Sequence, residues 1–430
     1  MSKPFSVPDL IETLLTSENS AARCAAANAL HDIKEVVAVE PLIKALQDGD
    51  RWVRYSAVRA LGSIRDRRAF QPVADLLQVE ADPTVCEIAA ANLAALDLER
   101  SFPLLIDIIE NGSPPAKAAA ARTIRDIDTG KAETVGPLTR LLANKHDWEA
   151  RLDAIYALGE TGTDDPQAIE LLLLAMAEDD AAICSAAIFA LGELGVERAI
   201  KPVAHLLLNS PSASLRRDAA TALGDFEDEQ VIEPLLVALG DHDEYVRAYA
   251  SGSLAGFATP RVIQALIQLV GQDKSEVVGI YAVQALRELK AVEASELLIE
   301  ILLKSPSNEV RKLVPSALAA TGNPVAVPPL MKALQSNEVL EVRVEALHAL
   351  ARLAPFKAEK LLIEALRDGA AEMRLAAVVE LGNIAGEEAL PALLLLAGND
   401  HGQSPWREKL EEAISGAIKK IKERSQAGRK

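Results

Sequence analysis

The sequence predicts an all-α protein of stacked helical hairpins, and three observations carry that prediction. The segment Trp52-Val-Arg-Tyr-Ser-Ala-Val-Arg-Ala-Leu-Gly62 recurs in variant form along the 430 residues, with a period of about 32. Within each copy the apolar positions fall on one stripe of a 3.6-residue helix. Half of the residues are apolar but only 3% are aromatic, so the core must be made of Ala, Leu and Val rather than aromatic rings.

Anchoring the register on Arg54 gives equivalent positions 23, 54, 86, 117, 151, 184, 216, 247, 279, 311, 343 and 374, which define repeats one to twelve. Columns that the anchor did not impose obey the same physics. Seven residues further on, every position is Leu except Ile124; three residues further on, every position is Ala except Val314. The position before the anchor is always apolar. Each segment is therefore an amphipathic helix, and its small residue lets a neighbouring helix approach closely. Four residues before the anchor stand Asn19, Asp50, Asp82, Ser113, Asp147, Asp180, Ser212, Asp243, Ser275 and Ser307. These are N-cap residues, whose side-chain oxygens accept from the unpaired N–H groups of the first turn. Val339 and Ala370 break that column, which moves the expected caps to Asn337 and Asp368.

Between these helices lies a second apolar segment, often opened by proline, as at Pro41, Pro72, Pro202, Pro234 and Pro329. A first-turn proline lacks only an N–H that would be unpaired there anyway. Each repeat is thus a hairpin of a proline-opened helix A and an anchored helix B. An opening helix A over residues 7–18 precedes B/A repeats over 19–400, and a terminal helix spans 404–424. Its early Glu408, Glu411 and Glu412 and late Lys419, Lys420, Lys422 and Arg424 match the helix dipole, so the basic tail reads as a helix end. The expectation is about thirteen hairpins in one array over residues 1–430.

The pattern Asp-x-x-x-Val-Arg-x-x-Ala-x-x-Ala-Leu-Gly followed by Pro-Leu-x-x-Ala-Leu resembles the HEAT repeat, in the short variety named after phycobilisome lyases. The resemblance covers nearly the whole chain. It implies a right-handed α-solenoid whose B helices line the concave face. It implies no single function, because this repeat serves many tasks.

Composition and motifs narrow the function classes. A balance of 45 basic against 63 acidic residues gives −18, which opposes a polyanionic partner such as nucleic acid. The start Met1-Ser-Lys-Pro-Phe5 has no signal-like apolar run and no stretch approaches 18 apolar residues, so the expectation is a cytoplasmic chain without membrane insertion. Cys24, Cys86 and Cys184 lie in different repeats, too far apart to bridge, and suit a reducing compartment. No His-Glu dipeptide, as used by the HEAT-fold deoxyhypusine hydroxylases, is present, and neither is a phosphate loop, nucleophile motif or CxxC. No metal or cofactor is expected. The Arg-rich anchor column, recurring in step with the Asp caps, reads as a ladder of inter-hairpin ion pairs rather than an anion-binding row.

Candidate binding residues lie where the columns are broken. Positions +1 and +5 from the anchor face away from the buried stripe, and in adjacent repeats they place Leu152, Tyr156 and Phe189 on the outer side of helix B. From Leu152 to Glu197 there are ten acidic residues and no Lys or Arg; from Asp218 to Val246 there are nine, again with neither. Taking these nineteen from the 63 leaves 44 acidic against 45 basic, so the net charge resides in the middle of the chain. Asp153, Glu160, Asp164, Asp165, Asp179, Asp180, Glu227, Asp228 and Glu229 would then rim the aromatic patch.

Two readings follow. The first is a non-enzymatic scaffold or assembly factor that grips a protein of basic or mixed surface on its concave face. The alternative, implied by the resemblance, is a bilin lyase subunit or lyase-like chaperone acting on phycobiliproteins. It would hold a bilin with Tyr156, Asp153 and Phe189, although no histidine joins them at helix-B spacing.

Overall fold

The computed structural model describes residues 6–127, 132–335, 339–398 and 406–427. Every regular element among them is helical. Helices A and B alternate from Val7–Thr16 and Ser20–Ile33 to Leu390–Gly398 and Arg407–Ala427, giving thirteen hairpins of an α-solenoid. The chain forms two compact units, Met1–Val203 and Ala204–Lys430. Within each, a B helix packs on the B helices of the preceding and following repeats and on its own A helix.

The predicted columns form the core. All twelve residues seven after the anchor, and all twelve three after it, are at most 2% exposed. Alanine at +3 permits this because a larger side chain would hold the stacked B helices apart. Glycine does the same at Gly159, where an added Cβ would lie 2.9 Å from Ala190 Cα in the next B helix.

Helix starts follow the capping chemistry. Asn19, Asp50, Asp82, Ser113, Asp180, Ser212, Asp243, Ser275 and Ser307 each accept a backbone N–H of their helix's first turn. Asp147 does not; its carboxylate takes the Asn144 side-chain amide at 2.8 Å. Asp368 is not the cap: Ala370 holds that position without a side-chain bond, and Asp368, two residues before it, accepts the Ala370 N–H at 2.9 Å, while Asn337 and the predicted start of the terminal helix at Ser404 lie outside the described residues.

Two local features depart from the sequence reading. The A helices containing Pro41, Pro72, Pro202, Pro234 and Pro329 begin two residues earlier, so proline is their third residue. The physics is unchanged, since the first four N–H groups of a helix have no intrahelical partner. In repeat ten, helix B is broken into Asn308–Arg311 and Val314–Thr321. Pro315 causes the break: it lacks the N–H that would bond Arg311, and its ring collides with that carbonyl. In the terminal helix, Arg424 donates to the carbonyls of Gly382, Asn383 and Ala385, closing the C-terminal end of the preceding B helix.

Candidate functional site

The anchor column is a structural ladder of inter-hairpin ion pairs, as its recurrence suggested. Arg23, Arg54, Arg216 and Arg247 form paired bonds with Asp48, Glu80, Asp241 and Asp273, at 2.6 to 3.1 Å. Arg151 does the same with Glu178. Those carboxylates stand six residues before the next anchor, two before the cap. Asp48, Glu80, Asp241 and Asp273 also accept the N–H of the cap residue, so each joins the guanidinium to the start of the following B helix.

Two of the three candidate apolar residues touch one another across adjacent B helices. Tyr156 in Trp148–Glu160 and Phe189 in Ala181–Glu193 meet edge to face, with ring centroids 6.0 Å apart. Phe189 is 41% exposed, and Leu152 and Tyr156 are half-buried.

The surroundings of that pair are less purely acidic than the charge count suggested. Arg122 and Arg125 enter from the B helix of repeat four. Arg125 lies over the Tyr156 ring, 5.8 Å from its centroid. Arg122 spans from Glu87 at 2.5 Å to both oxygens of Asp153 at 3.0 and 3.2 Å. Asp153, read from sequence as a contact residue, is 5% exposed and committed to this bridge, because position +2 packs against the preceding repeat. Burial pushes its carboxyl above the ordinary range, and the neighbouring arginines pull it back only in part.

The remaining candidates lie at the two ends of the B helices. Glu160, Asp164 and Asp165 follow the C-terminal end of Trp148–Glu160; Asp179 and Asp180 precede Ala181–Glu193. Glu160, Asp164 and Asp179 are exposed. Asp165 caps Pro166–Met176, and Asp180 caps its own helix while accepting the Trp148 indole N–H at 2.9 Å. Glu227 and Glu229 are exposed, and Asp228 bonds Gln230 at the turn after Ala213–Asp225. These last three belong to the second unit.

A wider aromatic pattern extends beyond the +1/+5 template: Tyr55 and Tyr156 occupy it, but Tyr245 stands two before its anchor and Tyr249 and Tyr281 two after theirs. All five tyrosines of the chain, Tyr55, Tyr156, Tyr245, Tyr249 and Tyr281, lie on B helices, and none is buried. Exposed Trp52 and Trp148 lie in the first turns of B helices as well. In the first unit Trp52 meets Tyr55 at 6.0 Å; in the second Tyr249 meets Tyr281 at 5.5 Å. Arg51 lies over Trp52 and Arg217 over Tyr245. Positions −2 and +2 of the repeat register hold the three tyrosines that the +1/+5 template omits.

Among the described residues no three His, Cys, Asp or Glu side chains converge as metal ligands, and no helix is long and apolar enough to cross a membrane. Cys86 and Cys184 are buried and unbridged, and burial pushes the Cys86 thiol up to about 12.

Comparison with known proteins agrees with this architecture. Three curated relatives are similar over part of the chain. The phycocyanobilin lyase subunit alpha of Nostoc is 30% identical over 167 residues, and the bilin biosynthesis protein PecE of Mastigocladus laminosus 36% over 98. A HEAT repeat-containing taxis protein of Halobacterium salinarum is 28% identical over 176 residues. The matches span 37%, 23% and 40% of this chain and 53%, 36% and 40% of those relatives. Among solved structures, yeast importin-β (Kap95p) matches 96% of this chain and 73% of its own, with a TM-score of 0.65 and 14% identity. Kap121p bound to Pho4p matches 91% and 50%, with a TM-score of 0.56 and 14% identity. At such identities the likeness is one of fold. The family model for HEAT repeats matches residues 7–94, 102–192, 169–250, 200–287, 263–351 and 339–415, and the chain belongs to the HEAT-repeat family.

Proposed function

We propose that this protein is a non-enzymatic scaffold or assembly factor that holds a protein partner against the outer face of its B helices. The observation that carries the reading is the aromatic distribution. In a chain only 3% aromatic, all five tyrosines and two of three tryptophans are accessible on one kind of helix. Tyr and Trp on a rigid surface bury much area at little entropic cost and dominate interface energetics. In this reading the surface is concave; in the first unit Leu152, Tyr156 and Phe189 form its anchor and Glu160, Asp164 and Asp179 select a basic or mixed partner surface, and in the second unit Glu227 and Glu229 do the same. Asp153, Asp165, Asp180 and Asp228 support that surface by fixing helix positions. The protein works in the cytoplasm without a cofactor. Kap121p bound to Pho4p is a precedent for a related fold holding a protein.

The similarity to a phycocyanobilin lyase subunit and to PecE favours a second reading, that of a factor handling a phycobiliprotein or its bilin. It carries less, because the identity covers part of each relative and repeat columns recur by packing necessity.

One experiment separates the two. The tagged protein and its Tyr156→Ser/Phe189→Ser variant are used to capture partners from the native host at low and moderate salt, and visible spectra of the eluates are recorded. The scaffold reading predicts a colourless, salt-sensitive partner whose affinity falls at least tenfold in the variant. A coloured eluate favours the second reading, and a partner indifferent to both salt and substitution refutes the first.

A further inference from the structure

At one rung of the ladder the anchor position carries no side chain at all. In intact rungs the guanidinium of anchor Arg23, Arg54, Arg216, Arg247 or Arg374 donates to the carbonyl six residues earlier, on Ser17, Asp48, Ser210, Asp241 or Asp368, at 2.8 to 3.0 Å. Where the anchor is not arginine, another side chain usually takes its place. The Cys86 thiol donates to the corresponding Glu80 carbonyl at 3.7 Å, Cys184 donates to the Met176 carbonyl at 3.0 Å, and Lys117 retains a cation. Repeat nine differs, because its anchor is Gly279. The far end of the same rung has changed too: Ser305 stands six residues before anchor Arg311, where Asp48, Glu80, Asp241 and Asp273 stand before theirs. The rungs of Cys86, Lys117 and Cys184 also lack the carboxylate, with Asn111, Lys145 and Ser210 in its place, so repeat nine is set apart by having no anchor side chain to occupy the space.

A groove of about 540 Å³ lies at that rung, wholly within the second unit. Asp273, Glu276, Gly279, Ile301, Ser305 and Val310 line it, with Lys274 the single cation among the lining residues. Ile301 and Val310 offer an apolar wall suited to a methylene stem. At its polar end are the Asp273 main chain, the counterpart of the carbonyls that accept from arginine in the intact rungs, and the carboxylate of Glu276, which accepts the Ser307 hydroxyl at 2.5 Å. The protein's own ladder is thus the template for what fits: a stem of three methylenes carrying a planar, five-donor cation.

We infer that the groove at Gly279 and Ser305 receives an arginine side chain from a protein partner, which completes the missing rung from outside. The site is separate from the aromatic surface and stands or falls independently of it.

The probe is the peptide acetyl-Gly-Arg-Gly-amide, with citrulline in place of arginine as the uncharged control, read by saturation-transfer NMR against the full chain. The arginine peptide is expected to bind at millimolar concentration and the citrulline peptide not to bind. Ser305→Asp restores the missing carboxylate and should tighten arginine binding roughly tenfold, the worth of a hydrogen-bonded charge partner. Gly279→Arg with Ser305→Asp rebuilds the rung internally at unchanged net charge and should abolish the signal. Because a Cβ at residue 279 would lie 3.1 Å from Val310 Cγ2, circular dichroism must accompany that variant, and Ser305→Asp alone decides the matter if it misfolds. Equal binding of citrulline, no tightening by Ser305→Asp, or a signal that survives in a folded double variant would overturn the inference.

Discussion

The ladder arginines join one hairpin to the next, and their loss should be felt far more than that of a surface charge. Arg151 is the clearest case, with its side chain 6% exposed and bonded to the Leu142 carbonyl and to both oxygens of Glu178. Arg151→Ala strips Glu178 of its guanidinium partner and should cost about 2 kcal/mol in urea unfolding, whereas Lys304→Ala, at an exposed ion pair, should change stability by less than about 0.5 kcal/mol. The same chemistry sets the acid limb of stability. Arg23 holds Asp48 below the usual carboxylate range; at Asp241 and Asp273 burial opposes, but Arg216 and Arg247 outweigh it; Asp243, beside Arg217, falls to about 2. Since these carboxyls bind protons more weakly folded than unfolded, their stabilisation is complete above pH about 4 and is lost as pH falls through the folded values. The melting temperature should drop steeply between pH 4 and 2. His348 runs oppositely: Glu380, 2.8 Å away, raises its pKa, so its contribution is complete below about 6.5 and disappears as pH rises through the folded value. His348→Gln should flatten that limb of the melting curve. Sequence columns exposed these arginines and their inter-hairpin ion pairs but not which carboxylate each meets, because Ser, Asn and Lys interrupt the acidic residues at the position six before the anchor.

The hairpins were legible almost throughout, since helix periodicity, N-caps and first-turn prolines are local signals that packing here does not override. The break in repeat ten was readable from Pro315 and was missed because the register was trusted across it. Contacts between elements were harder to foresee. Arg122 and Arg125 reach the Tyr156 patch from the preceding repeat, a relation of thirty-odd residues that neither the charge windows nor the +1/+5 template contains. Close B-helix stacking gives a sharp element-scale prediction. Gly159→Ala places a methyl against the Ala190 backbone and should cost about 1–3 kcal/mol as overpacking, while Gly256→Ala, with nothing within 4 Å of the added carbon, should be neutral in the same urea titration.

For the molecule as a whole, part of the acidic charge in the two windows is taken up by the fold itself. Of the nineteen acidic residues in the two windows, several cap helices or close rungs, Glu178, Asp180, Asp241 and Asp243 among them. The aromatic surface is the firmer signal, because no tyrosine is buried in the core of Ala and Leu, although Trp148 also ties its helix to Asp180 of the next. Hydrogen–deuterium exchange of the captured complex therefore tests the central claim most directly. Protection on partner binding should concentrate in B helices, Trp148–Glu160 and Ala181–Glu193 foremost, and leave the A helices unchanged. Protection confined to A helices, with those two B helices exchanging as in the free protein, would contradict the account.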